Sequence, residues 1–460
     1  MVFMHPDVLR QAFSAAMSDM YRGEVPAYGE LLDIVRDVNE ALLAGPDAQR
    51  LGLDTQEDIS RISDERHGAI RLGTAAELAM MRRAFALMGM FPVDYYDLSI
   101  ASIPVHSTAF RPIDRRALAR NPFRVFTSLL RLELIEDDTL RRLAEDILSA
   151  RKIFSQEAIA LIEKAEKQGG LNEADASQFV QEMTHIFKWR SHALVAQDTY
   201  AQLHDAHRLI ADVVSFKGPH INHLTPRTLD IDSCQMAMHT AGLPAKAVIE
   251  GPPKRQCPIL LRQTSFKALR EAVSFINADG GETDGHHTAR FGEIEQRGIA
   301  LTPKGRALYD RLLAETREQI KPAPDGSNAA DYVAALEASF SAFPDDWRAL
   351  HDEGLGYFRY RLVQGSEQAD FTRPISDLLD QGLLAITPII YEDFLPVSAA
   401  GIFQSNLGDS DTPSYDAAAN QQAFEADMGG PVHNGFGLYA VIQDQSLAAC
   451  KQQAKELATS

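Results

Sequence analysis

Cysteine is scarce in this chain: Cys234, Cys257 and Cys450 are the only three in 460 residues. None forms a Cys-x-x-Cys pair, which argues against a thiolate metal site and a disulfide framework, and for a reducing compartment. Long apolar runs are lacking too. No stretch approaches the roughly 20 apolar residues that a bilayer span needs, so no membrane partner is expected. The opening residues Met1-Val2-Phe3-Met4-His5-Pro6 show no charged region followed by an apolar one, the mark of a signal peptide. Cytoplasm is therefore the expected location. Positive charge is also in deficit, with 45 Lys and Arg against 64 Asp and Glu, for a formal net charge of -19. No basic stripe offsets it, so no nucleic-acid partner is expected. An anionic substrate would need its own local arginine.

What remains is the composition of an ordinary globular protein, with 45% hydrophobic and 24% charged residues. The length allows two or three core-sized units or one elaborated domain. Residues 1–65 read as an N-terminal helical segment. Leu9, Phe13 and Met17 recur at helical spacing, as do Leu31, Ile34, Val35 and Val38. Residues 66–136 change character. A short alternating strand at 66–72 is followed by an amphipathic helix at 75–88, with Thr74 as its N-cap and Gly89 past its end. Strands are expected at 91–98, 101–111 and 123–132. Residues 137–214 read as a helical insertion.

The order strand, helix, three strands then returns in residues 215–300. A strand is expected at 217–224, a helix at 230–241, and strands at 245–250, 258–265 and 287–297. The stretch 277–287 is rich in Gly, Asp and Asn and reads as a loop. Residues 301–460 form a C-terminal region of helices and loops that would cover the site. The fold class is thus α+β, with two βαβββ modules forming a curved central sheet and large helical additions, the whole plausible as one integrated domain.

Three runs carry candidate chemistry: Glu65-Arg66-His67-Gly68-Ala69-Ile70-Arg71, Gly218-Pro219-His220-Ile221-Asn222-His223-Leu224, and Arg290-Phe291-Gly292-Glu293-Ile294-Glu295-Gln296-Arg297-Gly298. Two imidazoles and one carboxylate are the ligand set that holds Fe(II) on one face and leaves the other open. Glu293 and Glu295 share a strand face because side chains alternate. A metal or an arginine would stabilise such a pair in a core; a solvated edge strand would need neither. His220 and His223 are three apart and point to opposite faces of a strand; His223 is preferred because it shares a side with Ile221. His67 and Arg71 are four apart on one face, which places a guanidinium suited to gripping a carboxylate near a candidate ligand. A surface ion pair with Glu65 or Asp64 is the plainer reading of Arg71. His286-His287 in a Gly/Asp-rich stretch is set aside as solvated. Leu301-Thr302-Pro303-Lys304-Gly305-Arg306 has the look of a winged-helix turn, but the acidic charge favours Thr302 as a simple helix cap.

The strand at 291–298 resembles the last metal-binding strand of the 4-hydroxyphenylpyruvate dioxygenase group, whose glutamate binds Fe(II); that alignment selects Glu293 over Glu295. Repeated βαβββ units are the hallmark of the wider vicinal oxygen chelate superfamily. Over nearly its whole length the chain is similar to the bacterial 2-oxoadipate dioxygenase/decarboxylase family, also called hydroxyglutarate synthase. The three runs above and Leu395-Pro396-Val397-Ser398 carry this likeness. It implies that His67, His223 and Glu293 bind Fe(II), with His67 also against the substrate. It implies that Arg71 serves catalysis by binding the substrate carboxylate, and that Val397 and Ser398 line the pocket. The partners implied are a 2-oxo dicarboxylic acid and O2. The reaction implied converts 2-oxoadipate and O2 to 2-hydroxyglutarate and CO2 in lysine (2-aminoadipate) catabolism. The same scaffold and ligands also serve Zn, Mn or Fe lyases, isomerases and ring-cleaving dioxygenases that act on other small anions.

Overall fold

The computed structural model describes residues 2–45, 61–277, 280–323, 325–363, 369–395 and 414–458. Two helices, Pro6–Glu24 and Pro26–Leu43, begin the chain, each with proline in its first turn where the missing N–H costs nothing. The strands are β1 (Arg66–Leu72), β2 (Phe91–Asp97), β3 (Val105–Arg111), β4 (Arg124–Leu130), β5 (His223–Thr228), β6 (Leu261–Ser265), β7 (Arg270–Ile276), β8 (Glu282–Thr288), β9 (Glu293–Arg297), β10 (Phe358–Leu362) and β11 (Leu384–Pro388). The helix Ala75–Leu87 follows β1, and the Thr74 hydroxyl caps it by accepting from the Glu77 N–H. The helix Ile231–Thr240 follows β5 in the same way, capped by Asp230. Helices fill the stretch between β4 and β5, from Asp138–Ala150 to Arg208–Ser215.

Seven strands make one mixed sheet in the order β2-β3-β4-β1-β5-β9-β6. The two halves repeat a pattern. β1 runs parallel to β4, which is antiparallel to β3; β5 runs parallel to β9, which is antiparallel to β6. The halves join where β1 and β5 pair antiparallel, with His67 opposite Thr225 and Ala69 opposite His223. That register puts His67 and His223, the preferred histidine of each half, at the centre of the sheet. Gly68 lies between them because a Cβ there would come 2.5 Å from the Ile221 side chain. Ile70 and Leu72 of β1 pack into one core with the helices Pro6–Glu24 and Ala75–Leu87. Ala69 faces the other way, into a second core with Phe126, Leu209 and Phe394. His67 and Arg71 share the Ala69 face by alternation.

The second half departs from the sequence reading in its details. The expected strand at 217–224 lies later, at 223–228, because pairing with β1 rather than the local pattern sets its extent. The expected strand at 245–250 is reduced to single bridges at Ala245 and Glu250. The expected loop at 277–287 is largely β8, paired with β7 as a hairpin outside the main sheet. Gly285, which reads as a turn signal, is a packing residue: a Cβ there would lie 2.4 Å from the Phe275 ring. Within the described residues, no helix is long and apolar enough to cross a membrane.

Candidate metal centre

His67 is the second residue of β1, His223 opens β5 and Glu293 opens β9, so three adjacent strands deliver three side chains to one spot. All three are fully buried, at 0% exposure. Glu293 Oε1 lies 3.2 Å from His67 Nε2 and 3.8 Å from His223 Nε2. The imidazole rings stand 5.5 Å apart and nearly perpendicular. One ligand atom from each residue falls within 4.8 Å of the others.

The surroundings hold this arrangement in place. The Tyr21 hydroxyl, from the first helix, lies 2.7 Å from the Phe291 carbonyl and 3.1 Å from that of Asn222, tying together the segments that enter β9 and β5. Phe291 packs on the His223 ring at 4.8 Å, and Phe394 meets His67 edge-on at 4.8 Å. Glu293 Oε1 accepts from Gln263 Nε2 at 3.0 Å and from the Thr225 hydroxyl at 3.1 Å. Its Oε2 has no hydrogen-bond partner among the described residues, nor has either ring nitrogen of His223. A buried polar atom left unmade costs about 1–3 kcal/mol. A divalent cation between these atoms would satisfy them, so the donor set fits the metal that the ligand pattern implies.

Electrostatics prepares the ligands. Burial, with the nearby charges of His67 and Arg71, pushes His223 well below its usual pKa, so it is a neutral imidazole, the form that binds metal. Burial also lowers His67, but Glu295 and Glu293 outweigh it and raise it. A cation is thus favoured beside His67, and a metal would take the place of the proton.

Glu295 sits two residues along the same face and does a different job. Its Oε1 lies 3.1 Å from His67 Nδ1, on the far side of the ring from Glu293. It also accepts from Arg124 and Arg297, each at 2.8 Å. Burial alone would raise its pKa, but Arg297, His67 and Arg124 hold it well below the usual carboxylate range. Glu65 joins this network through Arg124 at 2.8 Å and Arg227 at 3.0 Å. The two carboxylates are therefore separated by their partners: Glu295 is committed to guanidiniums, and Glu293 keeps an oxygen free of hydrogen bonds.

Arg71 is buried, and its Nη1 lies 2.5 Å from Asp212 Oδ2, so neither Glu65 nor Asp64 is its partner in this contact. Arg208 and Lys246, which the sequence reading passed over, lie within electrostatic reach. Arg208 feels Arg71 and Asp212, and Lys246 feels Glu293 and Arg208. Burial brings the Lys246 ammonium down to about 7. Neither residue carries a local motif; only the tertiary fold gathers them. Val397 and Ser398 lie outside the described residues. His220 and His287 are buried together beside Asp212, away from the three residues above, so His287 is not solvated as its polar neighbours suggested.

A family model for "2-oxoadipate dioxygenase/decarboxylase" matches residues 13–406. The chain belongs to this family. Among curated relatives of that same name, one from Pseudomonas putida is 55% identical over 98% of this chain and 97% of its own length. Another, from Escherichia coli, is 52% identical over 96% of this chain and 98% of its own. A solved structure of the hydroxyglutarate synthase from Pseudomonas putida, in complex with 2-oxoadipate, superposes with a TM-score of 0.91 at 54% identity, covering 98% of this chain and 99% of that one. Members of the family are oxidoreductases, and their names give both halves of the reaction.

Proposed function

We propose that this protein is an Fe(II)-dependent oxygenase that converts 2-oxoadipate and O2 to 2-hydroxyglutarate and CO2. The atoms balance, since the oxygens of O2 are retained between the shortened hydroxy acid and CO2. The observation that carries the reading is the convergence of His67, His223 and Glu293 at the centre of the sheet, in a chain 54% identical to a structure that holds 2-oxoadipate. Ferrous iron bound there would supply electrons for O2 activation and Lewis acidity toward a 2-oxo acid.

The protein's own groups do the rest. His67, His223 and Glu293 would hold the ion on one side, which leaves the other side for substrate and O2. Arg71 would bind a substrate carboxylate, with Asp212 fixing the guanidinium from behind. Lys246 and Arg208 add positive charge nearby and suit a substrate with a carboxylate at each end. Val397 and Ser398 would complete the pocket. Phe291 and Phe394 seal the imidazoles from water, which strengthens each electrostatic contact inside. A cytoplasmic role in lysine catabolism fits a reaction that consumes 2-oxoadipate.

The test is anaerobic loading with Fe(II), followed by O2 uptake and CO2 release across 2-oxo diacids of different length. One O2 consumed per CO2 released, fastest with 2-oxoadipate, is the expected result. Turnover of a small anion without O2 consumption would instead place the protein among the lyases and isomerases that share this ligand set.

A further inference from the structure

A second cluster of metal-binding side chains is assembled from residues that are not among the three proposed ligands of the first centre. Asp212 comes from the helix Arg208–Ser215, His220 from the segment leading into β5, and His287 from β8. All three are buried. Asp212 Oδ1 lies 2.8 Å from His287 Nε2 and 3.1 Å from His220 Nε2, and all three ligand atoms fall within 4.8 Å of one another. We infer that Asp212, His220 and His287 form a second cation site, suited to a divalent transition metal of the zinc class.

A hydrogen-bonded network accounts for His287 but not for His220. The His287 ring is satisfied on both sides, by Asp212 at Nε2 and by the Tyr200 hydroxyl 2.8 Å from Nδ1. The His220 ring approaches the same carboxylate oxygen without the alignment of a hydrogen bond, and neither of its nitrogens has an aligned partner among the described residues. A tetrahedral zinc ion with bonds of about 2.0–2.1 Å sets its ligand atoms about 3.3 Å apart, and the two separations from Asp212 Oδ1, 2.8 and 3.1 Å, are near that spacing. Two imidazoles and one carboxylate are a recurrent protein ligand set for such an ion.

The shell around the cluster supports the same reading. Trp189 packs edge-on to His220 at 4.7 Å, and Phe216 lies 4.7 Å from His287, so both rings are held by aromatic walls. The Tyr200 contact on Nδ1 of His287 is the outer-sphere partner that fixes the orientation of a ligating histidine. A surface cavity of about 500 Å³, lined by Tyr200, His204, Arg208, Arg270 and His287 among others, gives an ion its access route. Asp212 offers Oδ1 to the cluster and Oδ2 to Arg71. An ion on Oδ1 would therefore fix the carboxylate that holds Arg71.

The experiment counts ions. Protein stripped with a chelator is reloaded with Zn²⁺ and desalted, and its zinc is measured by mass spectrometry. The wild type should carry one more zinc per chain than His287→Ala. The same difference should appear in a Glu293→Gln background, so the result does not depend on the first centre. Equal zinc content with and without His287 would overturn the proposal. Crystals of the wild type soaked in Zn²⁺ guard against a variant that fails to fold. An anomalous peak bounded by Asp212, His220 and His287 is expected, and no peak there at saturating Zn²⁺ would also overturn it.

Discussion

Glu295 Oε1 lies 3.1 Å from Nδ1 of His67, while Glu293 Oε1 lies 3.2 Å from Nε2 of the same ring. One imidazole is thus held between two carboxylates from a single strand, one toward the proposed metal centre and one behind it. A carboxylate behind a ligating histidine sets its tautomer and raises its basicity. Glu295→Gln should therefore weaken metal binding about 10–100-fold. Competition against a chelator measures this, with circular dichroism as a check on folding. Unchanged affinity would reduce Glu295 to an ion-pair partner of Arg124 and Arg297.

The three proposed ligands should behave alike. His67→Ala, His223→Ala and Glu293→Gln should each abolish iron-dependent O2 uptake. Each variant should stay folded: the two alanine changes remove buried unsatisfied ring nitrogens along with the contact, and glutamine keeps the oxygen that accepts from Gln263 and Thr225. O2-electrode traces with 2-oxoadipate check this directly. Normal turnover in any one of them removes that residue from the ligand set.

Arg71 has a graded test. An ammonium cannot reproduce the planar fork of a guanidinium. Arg71→Lys should cost at least roughly 2 kcal/mol toward a dicarboxylate, about a 30-fold loss in kcat/KM. The loss should be smaller for a 2-oxo monocarboxylate if Arg71 grips the distal carboxylate. Equal rates for wild type and variant would leave Arg71 as the structural partner of Asp212.

Asp94 offers a prediction about stability. Burial, reinforced by Asp393, raises its pKa to about 6 against the opposing hydrogen bond from the Gly435 N–H. The folded pKa lies above the unfolded one, so its contribution to stability is full at low pH and lost as pH rises through about 6. Asp94→Asn keeps an acceptor for Gly435 and suits the positive φ of 55° at this position. The variant should gain stability relative to the wild type above pH 6, by at most about 3 kcal/mol. Thermal unfolding at pH 5 and pH 8 reads the difference. A gain of the same size at both values would contradict the assignment.

The first half of the sheet was legible because local signals agreed with the fold. The alternation at 66–72 and the Thr74 cap announce β1 and the helix after it, and both stand where the pattern puts them. The second half was harder to read because its strands are short and set by pairing. β5 begins at His223 because β1 lies beside it, and β8 hides in a polar, glycine-containing run whose glycine makes room for Phe275. The three proposed metal ligands could be picked out because each lies in a distinct strand run. The choice between Glu293 and Glu295 could not be settled by period-2 alternation, which treats them alike. Arg124, far away in sequence, is what separates their roles. Asp212, His220 and His287 escaped notice as a group because a helix, an irregular segment and a hairpin supply them, and no spacing rule links the three.

Diffraction at the iron absorption edge, from crystals loaded anaerobically with Fe(II), tests the central claim most directly. The account predicts a strong anomalous peak bonded to His67, His223 and the free oxygen of Glu293, whether or not the Asp212, His220 and His287 cluster also takes up iron, with 2-oxoadipate on the opposite side of that first ion after soaking. No iron at His67, His223 and Glu293, or the 2-oxo acid seated away from these three side chains, would contradict it.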